Sequence, residues 1–149
     1  MGKKDYKIKK GINIAINFLL FAILYFSVSF NKEFIRPIYG DTPIIGILTG
    51  SFSNFMAAYI ISLFPFSPVL ANKLDIKKSR LIVYSVAVVI FILLTIEEIK
   101  PYTDASKVYD MYDIIASGLG SLSAILTFEI FFIRIVNKSN MENGDNELN

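Results

Sequence analysis

Residues 110–135 read DMYDIIASGLGSLSAILTFEIFFIRI, and this stretch decides the fold. Side chains three and four positions apart lie on one face of a helix. Small and acidic residues recur at that spacing: Asp110, Asp113, Ser117, Gly120, Ala124 and Thr127. Small residues let two helix backbones approach closely inside a membrane. The stretch therefore predicts a membrane-spanning helix that packs through its small residues and has two aspartates where it enters the membrane.

The rest of the chain repeats this apolar character. The 149 residues are 54% hydrophobic, and the mean hydropathy is +0.53. About 20 apolar residues cross a bilayer as a helix. We predict an all-α bundle of four transmembrane helices formed by residues 1–136, with spans at residues 12–30, 44–64, 81–96 and 114–135. We predict that residues 137–149, which are polar, form a disordered cytoplasmic tail.

The basic residues predict the orientation of the bundle. Eleven of the fifteen lysines and arginines lie in the N-terminal segment, the loop between the second and third spans, and the C-terminal flank. Loops rich in lysine and arginine stay in the cytoplasm. Both termini are therefore predicted to be cytoplasmic, and the other two loops, which are acidic, are predicted to face outward.

The missing residue types exclude several kinds of chemistry. The chain has no cysteine and no histidine, so thiolate metal sites, cysteine nucleophiles and imidazole bases are all excluded. A metal site would need oxygen ligands, which favour magnesium or calcium. The short basic N-terminus precedes a span directly, and we expect no nucleic-acid binding.

Acidic residues crowd the outer end of the last two spans. We call this group the acidic mouth and assign to it Glu97, Glu98, Asp104, Asp110, Asp113 and Ser117. Carboxylates near apolar surroundings are costly unless they are paired, protonated or metal-bound. A helix N-cap explains one aspartate but not two acids one turn apart. The group predicts a binding surface.

Two other interpretations of the acidic mouth stay open. Lys100, Lys107 or Arg36 would neutralise the acids in simple salt bridges. A divalent cation such as magnesium would instead be held by four carboxylates, those of Glu97, Glu98, Asp110 and Asp113. Nothing in the sequence indicates an organic cofactor.

Other polar and small residues in the spans indicate helix packing. Gly46 and Gly50 have the GxxxG spacing, and Asn54 lies near mid-membrane, about 16 Å from Pro43 at 1.5 Å per residue. Amides at that depth form hydrogen bonds between helices, and Asn13 and Asn17 are expected to do the same. We assign helix packing to Gly46, Gly50, Asn54, Gly120 and Ala124. Near the inner surface, Glu129 is expected to pair with Arg134.

The segment from Glu97 to Ala124 resembles the VanZ-like family of small bacterial membrane proteins, named for a teicoplanin-resistance protein. That family has a glutamate that ends a span and then a pattern like Asp-x-x-Asp-x-x-Ala-Asn-x-x-Gly-x-x-x-Gly. The matching residues are Glu97 or Glu98, then Asp110, Asp113, Ala116, Ser117, Gly120 and Ala124. Serine replaces the usual asparagine at Ser117, and alanine replaces the usual glycine at Ala124. The resemblance implies a multi-pass protein of the bacterial cytoplasmic membrane that acts at the cell envelope and lowers glycopeptide sensitivity.

The leading hypothesis is an envelope protein whose acidic mouth engages a lipid-linked cell-wall precursor, a cationic ligand or another membrane protein. One alternative is a divalent-cation-dependent enzyme that acts on a lipid-linked phosphate. Another is a small cation transporter or channel lined by Asn54 and the acids. The first alternative lacks a nucleophile–base pair, and the second lacks an acid at mid-membrane. The sequence leaves the oligomeric state open.

Overall fold

The computed structural model describes residues 3–71, 75–99 and 110–146. These residues form a bundle of six α-helices, and no β-strand occurs among them. The helices are α1 Lys3–Phe30, α2 Arg36–Tyr39, α3 Ile45–Ser62, α4 Phe66–Ala71, α5 Ile76–Ile99 and α6 Met111–Asn146. Four segments within these ranges are long and apolar enough to cross a membrane: Gly11–Tyr39, Ile45–Val69, Ile76–Ile99 and Met111–Phe132. The predicted four-span helical bundle is therefore confirmed.

The third span is longer than predicted. Ile76–Ile99 forms one helix of 24 residues, whereas the sequence prediction covered residues 81–96. The difference arises because the helix continues through charged residues at both ends, namely Lys77, Lys78, Glu97 and Glu98. Hydropathy detects only the apolar centre of such a helix.

The first span does not end at Phe30. A π-helical turn, Asn31–Ile35, connects α1 to the short helix α2. Pro37 has no N–H and its ring clashes with the carbonyl four residues earlier, which explains why the helix widens here. The side-chain amide of Asn31 donates a 2.7 Å hydrogen bond to the Thr49 carbonyl, which fixes the turn against α3.

The second span is interrupted near its end. The α-helix α3 stops at Ser62, and α4 begins at Phe66. Pro65 cannot continue the helical hydrogen-bond pattern, so the chain breaks there before it resumes as a helix. The sequence prediction closed this span at residue 64 and saw no broken helix.

The last helix continues past the predicted end of its span. Its backbone is helical as far as Asn146, whereas residues 137–149 were predicted to be disordered. Extending an existing helix adds one hydrogen bond for each residue that is fixed, so a polar segment can continue it without a new nucleation step.

The helix α6 packs mainly against α3 and α5. A Cβ atom added to Gly120 would collide with the carbonyl oxygen of Phe55 and lie 2.9 Å from the Cβ of Ala58. The absence of a side chain at Gly120 therefore allows α6 to touch the α3 backbone. Further along this contact, the Tyr59 hydroxyl lies 3.2 Å from the Thr127 hydroxyl.

Candidate functional site

The acidic mouth is built where α5 ends and α6 begins. The backbone N–H of Asp110 donates a 3.1 Å hydrogen bond to Glu98 Oε1, which joins the two helix ends. Asp110 in turn accepts a 2.9 Å hydrogen bond from the backbone N–H of Tyr112. Asp110 therefore acts as a helix N-cap, which satisfies one of the unpaired donors at the start of α6.

Asp113 differs from its neighbours. One of its carboxylate oxygens, Oδ1, is buried and has no hydrogen-bond partner among the residues that the structure describes. Since a buried carboxylate oxygen without a donor is costly, this atom is the least satisfied one in the acidic mouth. Asp110 and Glu98 each accept a backbone hydrogen bond, whereas Asp113 retains an unused acceptor.

The remaining members of the acidic mouth have simpler surroundings. Glu97 is exposed. Ser117 is buried, and its hydroxyl donates a 2.9 Å hydrogen bond to the Asp113 carbonyl within the same helix. Asp104 and two of the proposed lysine partners, Lys100 and Lys107, lie outside the described residues. The structure therefore brings Glu98, Asp110 and Asp113 together and leaves Glu97 in solvent.

The acids repel one another. The negative charges of Asp113, Glu97 and Asp110 all act on Glu98. Within residues 3–71, 75–99 and 110–146, however, no group of three or more acidic side chains could hold a metal ion. The four-carboxylate metal site is thus not assembled in the described part of the chain.

The packing residues fall into two groups. Gly120 and Ala124 are buried, with Gly120 at the contact between α6 and α3. Gly46 instead lies against the Gly40 carbonyl in the turn before α3, and a Cβ atom on Gly50 would meet nothing within 4 Å. The structure therefore does not place the GxxxG pair at a contact between two membrane helices. The GxxxG spacing shows only that one helix has room for a close neighbour. It does not show whether another helix lies there.

The asparagines also differ from one another. Asn13 accepts a 2.6 Å hydrogen bond from the Ser67 hydroxyl, which links α1 to α4. Asn17 has a buried carbonyl oxygen without a partner in the described residues. Asn54 is half-buried and, with Ser53 and Ala57, lines a depression beside α1.

Sequence reasoning missed the strongest polar contact. Glu129 accepts hydrogen bonds from two guanidinium nitrogens of Arg80, at 2.8 and 2.6 Å, and from the Tyr84 hydroxyl at 2.7 Å. The predicted partner, Arg134, was wrong. Residues five positions apart in a helix lie on different faces, whereas pairs three or four apart meet.

The comparisons with known proteins add no relatives. The sequence matches no protein-family model, no curated protein and no solved structure.

Proposed function

We propose that this chain is a VanZ-like protein of the bacterial cytoplasmic membrane, with both termini inside, and that its acidic mouth engages a ligand at the outer membrane–water interface. The observation that carries the proposal is the buried Asp113 Oδ1, which has no hydrogen-bond donor among the residues that the structure describes. The resemblance of residues 97–124 to the VanZ-like pattern supports the envelope role.

The chemistry of the acidic mouth favours a cationic ligand. Glu98 and Asp110 each accept one backbone hydrogen bond, whereas Asp113 has a buried carboxylate oxygen that no donor among the described residues reaches. A hydrogen bond to a charged group contributes about 1.5–3 kcal/mol. An ammonium group would supply both a donor and the charge that offsets the repulsion among the acids. Phosphates would be repelled, so a lipid-linked cell-wall precursor would fit through an amine of its peptide part.

The two alternative functions find less support. A divalent-cation enzyme needs converging carboxylates, and no such group occurs in the described residues. A cation channel needs polar groups along the membrane. Glu129, the acid near the other end of the membrane-spanning part of α6, is bound by Arg80 and Tyr84. Neither alternative is supported by an observation comparable to the buried carboxylate oxygen of Asp113 that lacks a partner among the described residues.

The test compares two neighbouring acids. In a strain that lacks the gene, plasmid copies would be assayed for glycopeptide and lipoglycopeptide susceptibility. We expect Asp113→Asn to weaken ligand engagement by about tenfold to a hundredfold, the equivalent of one charge-assisted hydrogen bond. The resistance phenotype should be lost while the amount of membrane protein is unchanged.

The matched control is Glu97→Gln, which removes the same charge from an exposed position of the acidic mouth. It should keep the phenotype. A fully active Asp113→Asn variant would overturn the proposal, and so would an equal loss in Glu97→Gln, because that result would indicate a general effect of charge.

A further inference from the structure

A cavity of about 590 Å³ lies at the opposite end of the bundle from the acidic mouth, between α1, the α3–α4 break and α6. Its apolar lining residues are Ile12, Ile16, Leu20, Leu63, Phe66 and Phe131. From Ile12 to Leu20 the helix rises about 12 Å at 1.5 Å per residue, so the cavity is extended along the direction in which lipid chains run. Its size lies within the range of about 300–1,000 Å³ that is typical of small-ligand sites.

Two polar side chains stand at one end of this cavity. Asn13 and Ser67 both line it, and the Ser67 hydroxyl donates to the carbonyl oxygen of Asn13. This hydrogen bond engages the carbonyl oxygen of the amide. Within the part of the chain that the structure describes, its two N–H donors remain for an oxygen of a ligand. The cavity is therefore suited to a molecule with a long apolar part and an oxygen acceptor at one end.

The charges around this end are mainly positive, although Asp75, directly before α5, is also exposed. Lys77 and Lys78 are exposed at the start of α5, and Arg134 is exposed on α6. The turns of α1 that precede Ile12 contain five lysines in sequence. Of the acids on α5 and α6 at this end, Glu129 is neutralised by Arg80. We call the group of Lys77, Lys78, Arg80 and Arg134 the basic end.

We propose that this cavity binds one acyl chain of an anionic phospholipid whose headgroup lies at the basic end. The chain occupies the space lined by Ile16 and Leu20, an ester or phosphate oxygen accepts from the Asn13 amide, and the lysines attract the phosphate. Basic residues near a membrane surface favour anionic lipid. The proposal does not depend on the role of the acidic mouth at the other end.

The experiment uses the absence of tryptophan from the chain. Phe131→Trp places a single indole at the cavity. Phe26→Trp places one on α1 away from the cavity, at a residue that is 69% exposed. Each full-length variant would be reconstituted into phosphatidylcholine vesicles that contain a small fraction of phosphatidylglycerol or phosphatidylcholine with brominated acyl chains, which quench indole fluorescence on contact.

We expect brominated phosphatidylglycerol to quench the Phe131→Trp indole at far lower lipid fractions than brominated phosphatidylcholine does. At the Phe26→Trp indole, the two brominated lipids should quench equally well. Replacing Lys77 and Lys78 by glutamine should reduce the preference at Phe131→Trp by about fivefold for each lysine that interacts with the headgroup. These replacements leave the cavity unchanged.

A second pair of variants tests the cavity itself. Ile16→Phe enlarges a side chain that lines the cavity, whereas Ile14→Phe adds the same volume two residues away, at a position that does not line it. Quenching of the Phe131→Trp indole should fall in the first and persist in the second. Equal quenching of both reporters by both lipids would overturn the proposal. Weaker quenching at Phe131→Trp than at Phe26→Trp would also overturn it and would indicate that a second copy of the chain covers the cavity.

Discussion

Two carboxylates near opposite ends of the membrane-spanning part of α6, Met111–Phe132, have opposite surroundings. Glu129 accepts three hydrogen bonds from Arg80 and Tyr84, whereas Asp113 has a buried oxygen without a partner in the described residues. A buried acid that is fully paired contributes to holding helices together. An acid that is left unpaired costs stability, and it persists where a ligand uses it. The comparison separates a structural acid from a candidate binding acid on the same helix.

The orientation of the bundle in the membrane can be tested directly by thiol labelling. The expected effect is all-or-none, because each end of the bundle faces one side of the membrane. The chain has no cysteine, so one introduced thiol is unique. Asp41→Cys, at the end that holds Asp113, should react fully with an impermeant thiol reagent in intact cells. Lys77→Cys, at the end that holds Glu129, should react only after the cells are lysed. The reverse pattern would place the acidic mouth in the cytoplasm and remove its envelope role.

The contact between α3 and α6 lies between the two acids, and the next largest effect is expected there. Because Gly120 touches the α3 backbone, Gly120→Leu should separate the helices and prevent a stable bundle, and Gly120→Ala should cost about 1–3 kcal/mol through overpacking. Thermal unfolding in detergent measures both.

The control for this contact is Gly50→Ala, which enters open space. It should be neutral or stabilise the protein by up to about 1 kcal/mol, because alanine favours helix more than glycine does. If Gly120→Ala and Gly50→Ala behaved alike, the helix contact at Gly120 would be disproved.

The sequence predicts local features of this molecule and misses those that depend on a distant partner. Apolar runs located four spans, because hydropathy is a property of each segment. The spacing of small residues indicated Gly120, and the capping preference accounted for one of the two aspartates, which the structure identifies as Asp110. The same spacing also indicated Gly50, because a pattern on one helix does not reveal whether another helix faces it.

The partner of Glu129 shows most clearly what the sequence alone does not predict. Arg80 lies 49 positions away in sequence and meets Glu129 only after α5 and α6 pack side by side. Nothing local distinguishes Arg80 from the other basic residues. The cavity at the basic end is lined by residues of α1, of the region around the α3–α4 break and of α6, so three separate segments are needed to form it. Such features follow from tertiary packing.

The last prediction compares the two acids by one matched change. Glu129→Gln and Asp113→Asn each remove one negative charge and almost no volume. Glu129→Gln should lower the unfolding temperature in detergent, because the Arg80 guanidinium loses its anionic partner. Asp113→Asn should change stability by less than about 1 kcal/mol in either direction. The lost attraction to the helix N-terminus, about 0.3–1 kcal/mol, opposes the relief of repulsion from Glu98. A similar fall in both variants would show that Asp113 is as well satisfied as Glu129, and the distinction between a structural and a binding acid would then fail.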